Sequence, residues 1–141
     1  GLAKAAELNG MSGPSHLLEI KDKILLTEDQ HSVIEQIYKQ MKAQAILKGE
    51  RLITLEQELE FLFRNGEITP NRLRSSLSNI ATARMELRYT HLIAHLKTPD
   101  ILSTNQILKY NELRGYNNIS PCDTHPKGHN ANTSRKHNRC P

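Results

Sequence analysis

The amino-acid sequence predicts an all-α protein built on a long antiparallel helical hairpin with short flanking helices. Leucine, isoleucine and alanine supply most of the apolar residues, whereas aromatic residues make up only 4% and tryptophan is absent. This composition favours helix packing over a sheet sandwich. In addition, apolar residues recur at spacings of three and four along residues 34–62, interrupted only by Lys48 between Ala45 and Leu52, and a second stripe at helical spacing follows along residues 73–94, as expected of two amphipathic helices.

The 141 residues are enough for one domain, and we divide the chain into three segments. Residues 1–14 end in turn-forming residues without sustained periodicity, so we expect a flexible leader. Residues 15–116 carry the helical domain. Residues 117–141 are rich in Asn, Ser, Thr, Pro, His and Lys, and we expect this polar tail to be disordered unless a metal ion or a disulfide organises it.

A short helix and the first long helix are expected at the start of the domain. Ser15 is predicted to cap the short helix. Thr27 is predicted to open the long helix, because its hydroxyl can accept from the backbone N–H of Gln30, whose side chain can reach back. Gly49 lies inside this helix and destabilises it by up to about 1 kcal/mol relative to Ala. Asn65-Gly66 predicts that the helix ends at a residue in the left-handed backbone conformation. The apolar stripe of this helix comprises Ile34, Ile37, Met41, Ala45, Leu52, Leu55, Leu59 and Leu62.

The second long helix is predicted to start at Thr69-Pro70, a capping residue followed by Pro at the first helical position. Thr98-Pro99 predicts its end. Ser103 with Gln106 repeats the capping box and predicts a last short helix that ends before Gly115. The apolar stripe of the second long helix comprises Leu73, Leu77, Ile80, Leu87, His91 and Ala94.

The two capping boxes, LTEDQ at 26–30 and LSTNQ at 102–106, flank the hairpin. Counting residues from the turn places both at the same open end of an antiparallel hairpin. Over roughly residues 16–116 the chain resembles the periplasmic LTxxQ family, which includes Spy- and CpxP-type envelope-stress proteins, zinc-resistance-associated proteins and nickel/cobalt sensors. Ser103 and Asn105 depart from the usual Thr and Glu. The resemblance implies a non-enzymatic, periplasmic homodimer.

His91 and His95 are the strongest candidate metal ligands. They lie four residues apart on one helix, so both imidazoles share a face and can bind one ion. The resemblance to the sensor branch implies a metal role for this pair and for His16 in the short first helix, although Ile20 stands where a further histidine is expected. The alternative is two half-exposed histidines near a helix C-terminus.

Further candidate ligands come from the first long helix. Counting back from the turn places His91 and His95 level with roughly residues 39–43. Glu35, Met41 and, more remotely, His31 are therefore candidates to add an oxygen, a thioether or an imidazole. Met41 also lies on the apolar stripe, where the alternative role is core packing. The expected cofactor is a divalent transition metal ion, Zn, Ni, Co or Cu.

The tail contains a second group of candidate ligands. Cys122, His125, His137 and Cys140 form a C-x2-H pair and an H-x2-C pair, a composition suited to Zn²⁺ or Cu²⁺. A disulfide between Cys122 and Cys140 and an unstructured tail are the two alternatives.

The motifs that are absent narrow the function classes. The chain has no nucleophile elbow, phosphate-binding glycine loop or HExxH motif, so we do not expect an enzyme. A net charge of +4 is far from a dense basic patch, and we expect no nucleic-acid partner. Two functions remain. The first is a metal-binding protein for sensing, buffering or resistance, whose sensor form needs a membrane-bound regulator. The alternative is a Spy-like ATP-independent periplasmic chaperone for unfolded clients, or an envelope-stress regulator.

We also predict a symmetric homodimer. One hairpin cannot bury its main apolar stripe together with the neighbouring apolar residues Leu47, Ile53, Phe61 and Phe63. The interface should therefore use the long first helix and the hairpin tip.

Overall fold

The computed structural model describes residues 2–116, which fold into five α-helices. Helices α3 and α4 pack against each other as an antiparallel hairpin, while α2 packs on α3 and α1 on α4. The predicted all-α hairpin with short flanking helices is therefore confirmed. Within the described residues, no helix is long and apolar enough to cross a membrane. The helices are α1 Lys4–Glu7, α2 Pro14–Glu19, α3 Glu28–Arg64, α4 Pro70–Leu96 and α5 Thr104–Arg114.

The ends of α3 follow the local chemistry of the sequence. Thr27 Oγ1 accepts from the Gln30 backbone N–H at 3.2 Å, and Gln30 Oε1 accepts from the Thr27 N–H at 3.1 Å. The helix runs unbroken through Gly49. After its last turn the chain passes through Gly66 at φ +67, a conformation that glycine adopts without strain. Both predicted ends of α3 are confirmed.

The hairpin is held by a narrow apolar seam and by ion pairs. The whole predicted stripe of α3 is buried or half-buried. On α4, however, Leu77 is 50% exposed, so its place on the buried stripe was wrong. The buried or half-buried positions of α4 instead include Ser76, Ala83 and Thr90. Their side chains are small, and two of the three are polar, so a search for large apolar residues does not find them. Across the hairpin, Lys48 pairs with Glu86 at 2.9 Å and Arg84 with Glu56 at 2.6 Å.

The main core lies at the open end of the hairpin. It consists of Leu17, Ile24, Ile34, Leu102 and Tyr110. Helix α2 begins at Pro14 and ends at Glu19, so the predicted capping role of Ser15 was wrong. The reason is that Pro14 occupies the first helical position, where its fixed φ and missing N–H suit a helix start.

The two motifs meet at this end, as predicted. Ser103 and Gln106 form a second capping box, with Gln106 Oε1 accepting from the Ser103 N–H at 2.9 Å. Each glutamine also reaches across to the other motif. Gln106 Nε2 donates to the Leu25 carbonyl at 3.1 Å, and Gln30 Nε2 donates to the Ile101 carbonyl at 2.8 Å.

The N-terminal segment, residues 2–13, packs against the rest of the molecule. Ala3, Ala6 and Ser12 are buried. The Thr98 hydroxyl, which is fully buried, lies 2.5 Å from the Ser12 carbonyl oxygen. These contacts are made by small side chains and backbone carbonyls rather than by a periodic apolar face, and the flexibility expected for residues 1–14 stays a prediction.

Candidate metal site

One cavity near the open end of the hairpin is lined by side chains from four helices that could bind a metal ion. It has a volume of about 510 Å³, and we call it the histidine cavity. His91 and His95 reach it from α4, His16 from α2 and Met41 from α3. Glu7, at the end of α1, also lines it. The structure therefore brings together the three histidines predicted first and the predicted thioether.

His95 is held in a defined orientation. Its ring is 5% exposed, and its Nδ1 lies 2.9 Å from the Met11 carbonyl oxygen. Because a carbonyl oxygen only accepts, Nδ1 carries the proton that it donates, and Nε2 is the ring nitrogen left to offer a lone pair to a metal ion. Histidines that ligate metal ions are usually oriented by such a bond from the other ring nitrogen.

Gly13 makes this position of His95 possible. A Cβ atom at residue 13 would lie 2.7 Å from His95 Cε1 and 2.8 Å from Nε2. Both distances are well below van der Waals contact, so any side chain at this position would displace the imidazole. Because Gly13 has no side chain, the backbone of the N-terminal segment can pack directly against the His95 ring.

His91 is suited to remain neutral. Burial lowers its pKa below the usual value, and the neighbouring His95 lowers this pKa further. A neutral imidazole is the form that binds metal, since the ligand must offer a lone pair. His91 can therefore offer a ring nitrogen without first losing a proton at neutral pH.

His16, which lines the cavity, has one ring nitrogen without a hydrogen-bond partner. Its Nδ1 is buried and has no hydrogen-bond partner among residues 2–116. The nearest charged group is the Glu7 carboxylate, with Oε1 at 3.6 Å. Buried polar atoms are normally paired, which marks this nitrogen as a place where a ligand would be favourable.

No family model, curated protein or solved structure matches this chain. The resemblance to the LTxxQ family therefore stays a prediction that rests on the residues of the two motifs.

Two of the predicted ligands lie away from the histidine cavity. Glu35 does not line it, and its Oε1 lies 3.0 Å from Lys39 Nζ. That lysine, through a hydrogen bond and its charge, lowers the pKa of the Glu35 carboxyl. His31 lines a separate surface depression with Thr27. The tail candidates Cys122, His125, His137 and Cys140 fall outside the described residues.

The cavity is not a ready-made coordination site. Among residues 2–116, no three His, Cys, Asp or Glu side chains are close enough together to hold an ion as they stand. Ion binding therefore requires the imidazoles to rotate toward one another. Met41 and Tyr38 of α3 also line the cavity.

Sequence reasoning missed the contribution of the N-terminal segment. Glu7, Met11 and Gly13 all contact or border the histidines, yet none belongs to a recognisable motif. The one local signal was the pair Ala3 and Ala6, whose spacing of three predicts a small face on a short helix.

Proposed function

We propose that this chain is a non-catalytic periplasmic protein that binds one divalent transition metal ion in the histidine cavity, and that it senses, buffers or confers resistance to that metal. The observation that carries the proposal is the convergence of His16, His91 and His95 with the Met41 thioether on one cavity. Imidazole suits Zn, Ni, Co and Cu, and a thioether adds a soft ligand. The orientation of His95 by the Met11 carbonyl supports the same proposal.

The test is isothermal titration of Zn²⁺, Ni²⁺, Co²⁺ and Cu²⁺ on the full chain. Because the tail has candidate ligands of its own, the titrations use a tail-silenced chain, defined by the substitutions Cys122→Ser, His125→Asn, His129→Asn, His137→Asn and Cys140→Ser. We expect a Kd tighter than about 10 μM for at least one ion. His91→Asn should weaken that binding, while His31→Asn, outside the cavity, should not. Weaker binding than this, or an unaffected His91→Asn variant, would rule the proposal out.

A second candidate function, an ATP-independent chaperone, is favoured by the exposed apolar side chains of the hairpin. Phe61 and Phe63 at the tip are 51% and 56% exposed, and Ile53 on α3 is 58% exposed. Apolar patches of this kind bind other proteins. Suppression of the aggregation of an unfolded client in the presence of a chelator would favour this function, and indifference to clients would exclude it.

The same apolar surface supports the proposed homodimer. A symmetric interface along α3 and the tip would cover the exposed apolar residues Ile46, Leu47, Ile53, Phe61 and Phe63. A sensing role additionally requires a membrane-bound regulator that responds to the metal-loaded dimer.

A further inference from the structure

Glu7 and His16 form a polar pair beside the histidine cavity. The two side chains are 24% and 27% exposed, and Glu7 Oε1 lies 3.6 Å from His16 Nδ1. An N–H···O hydrogen bond is normally about 2.7–3.2 Å long. The pair is therefore close enough to interact by charge but too far apart to satisfy the buried nitrogen.

We propose that Glu7 is a ligand of the same metal ion as His16, so that the N-terminal segment is part of the metal site. This inference rests on the proposed function. The separation fits the role, because two ligand atoms each about 2.1 Å from a tetrahedral ion lie about 3.4 Å apart. An ion shared by the two groups would give His16 Nδ1 the partner that it lacks among residues 2–116.

The charge of the site supports a carboxylate ligand. Three neutral imidazoles and a thioether leave both positive charges of a divalent ion uncompensated, and an uncompensated charge in a largely apolar cavity is costly. Glu35 was the carboxylate predicted from the sequence, but it is paired with Lys39 outside the cavity. Glu7 lines the cavity and supplies a negative charge there.

The consequence is a coupling between metal binding and the N-terminal segment. The end of this segment is fixed through the Met11 and Ser12 carbonyls, which contact His95 and Thr98. Coordination by Glu7 adds an attachment at α1, nearer the start of the chain. Because a ligand stabilises the state that binds it, the ion should order residues 2–13 beyond what these hydrogen bonds achieve.

The experiment compares carboxylate variants of the tail-silenced chain. Co²⁺ is titrated into the unsubstituted protein, Glu7→Gln and Glu35→Gln, with Glu58→Gln on the exposed face of α3 as the matched control. Affinity is measured by calorimetry and coordination by the visible absorption of Co²⁺. Amide hydrogen exchange of residues 2–13 is followed with and without Co²⁺, and circular dichroism checks that each variant is folded.

We expect Glu7→Gln to weaken Co²⁺ binding at least about tenfold, an effect reached even by outer ligand partners, and to change the Co²⁺ spectrum. Exchange in residues 2–13 should slow with Co²⁺ in the unsubstituted protein but not in Glu7→Gln, while Glu35→Gln and Glu58→Gln behave like the unsubstituted protein. Unchanged affinity and spectrum in Glu7→Gln would overturn the role of Glu7 and leave the proposed function standing. Failure of the unsubstituted protein to bind any of the four ions would overturn both.

Discussion

Gln30 and Gln106 exchange two side-chain hydrogen bonds, with each amide nitrogen donating to the amide oxygen of the other residue at 2.9 and 2.8 Å. The two residues are 76 positions apart in the chain. Each amide oxygen also accepts from the backbone N–H of its own helix cap, Thr27 or Ser103. Each glutamine side chain therefore caps the start of its own helix and also links the two helix starts at the open end of the hairpin.

The variant Gln30→Glu separates these two roles. Glutamate keeps an oxygen for the Thr27 N–H, as in an ordinary capping box, but has no amide hydrogens to donate to Gln106 and Ile101. We expect a free energy of unfolding lower by about 1–3 kcal/mol in urea denaturation, because two partners lose a bond and now face a carboxylate. Gln36→Glu, an exposed site on the same helix, is the control. Equal stabilities of the two variants would show that the cross-motif bonds contribute nothing.

Two glycine substitutions should have opposite effects on stability. Gly13→Ala keeps an allowed backbone conformation, φ −77 and ψ 146, but its Cβ would lie 2.7 Å from His95 Cε1. We expect a loss of about 1–3 kcal/mol from this overpacking. Gly49→Ala has nothing within 4 Å of the added Cβ and should gain up to about 1 kcal/mol from higher helix propensity. Thermal unfolding of both variants measures the difference, and a neutral Gly13→Ala would contradict the close approach.

Thr98 should control the anchoring of the N-terminal segment. Thr98→Val removes the hydroxyl that contacts the Ser12 carbonyl while keeping the shape of the side chain. We expect a loss of about 1–3 kcal/mol and faster proteolysis within residues 2–13. Thr82→Val, whose hydroxyl bonds only within α4 to the Ser78 carbonyl, is the matched control and should leave proteolysis of the segment unchanged.

Tyr110 should make the protein sensitive to alkaline pH. Its side chain is fully buried, and its hydroxyl makes no hydrogen bond of normal geometry among residues 2–116 although the Gly13 backbone lies close enough to lower its pKa slightly. Burial outweighs this effect and raises the pKa of Tyr110 to about 12. The unfolded tyrosine ionises near pH ~10. The stabilising contribution is therefore complete below pH ~10 and is lost as the pH rises toward 12, with a slope of at most about 1.4 kcal/mol per pH unit.

The variant Tyr110→Phe tests whether Tyr110 causes this loss of stability at alkaline pH. Urea denaturation from pH 8 to pH 12 should show a shallower loss of stability for this variant, and at neutral pH its stability should be unchanged or higher, because an unpaired buried hydroxyl is removed. Tyr89→Phe, at a side chain that is 56% exposed, should keep the slope of the unsubstituted protein. Identical slopes for all three proteins would assign the alkaline loss to other groups.

The proposed homodimer makes a prediction about mass. Light scattering at micromolar concentration should report about twice the 16.0 kDa chain mass. The double variant Phe61→Ser, Phe63→Ser should fall to the monomer mass, because it removes the exposed aromatic rings of the tip. Leu108→Ser, an exposed leucine at the opposite end, should remain dimeric. A strict monomer in the unsubstituted protein would contradict the proposal.

The helix ends could be predicted from the sequence because their chemistry is local. Thr27 and Ser103 bond to backbone groups three residues away, and Gly66 and Gly115 take positive φ values at helix ends. These interactions depend on residue type and spacing alone. The shared face of His91 and His95 was predictable for the same reason.

The contacts between the N-terminal segment and the histidine cavity could not be predicted from residue type and local spacing. The Met11 carbonyl contacts His95 across 84 positions, and a backbone carbonyl is the same for every residue type. Glu35 lies outside the histidine cavity for a different physical reason. Lys39, four residues later, is its neighbour on the exposed side of the helix, and this local pairing competes with any distant role.

The location of the core gives the two ends of the hairpin unequal resistance to local unfolding. Helix α3 is roughly 55 Å long, yet the core residues Leu17, Ile34 and Tyr110 all lie at the motif end. Toward the tip, α3 and α4 pack only against each other, and Leu55 and Ile80 are the buried apolar residues there among residues 2–116. Segments with little buried apolar surface open at lower free energy. The tip, with Phe61 and Phe63, should therefore open at a lower free energy than the motif end, which keeps its geometry.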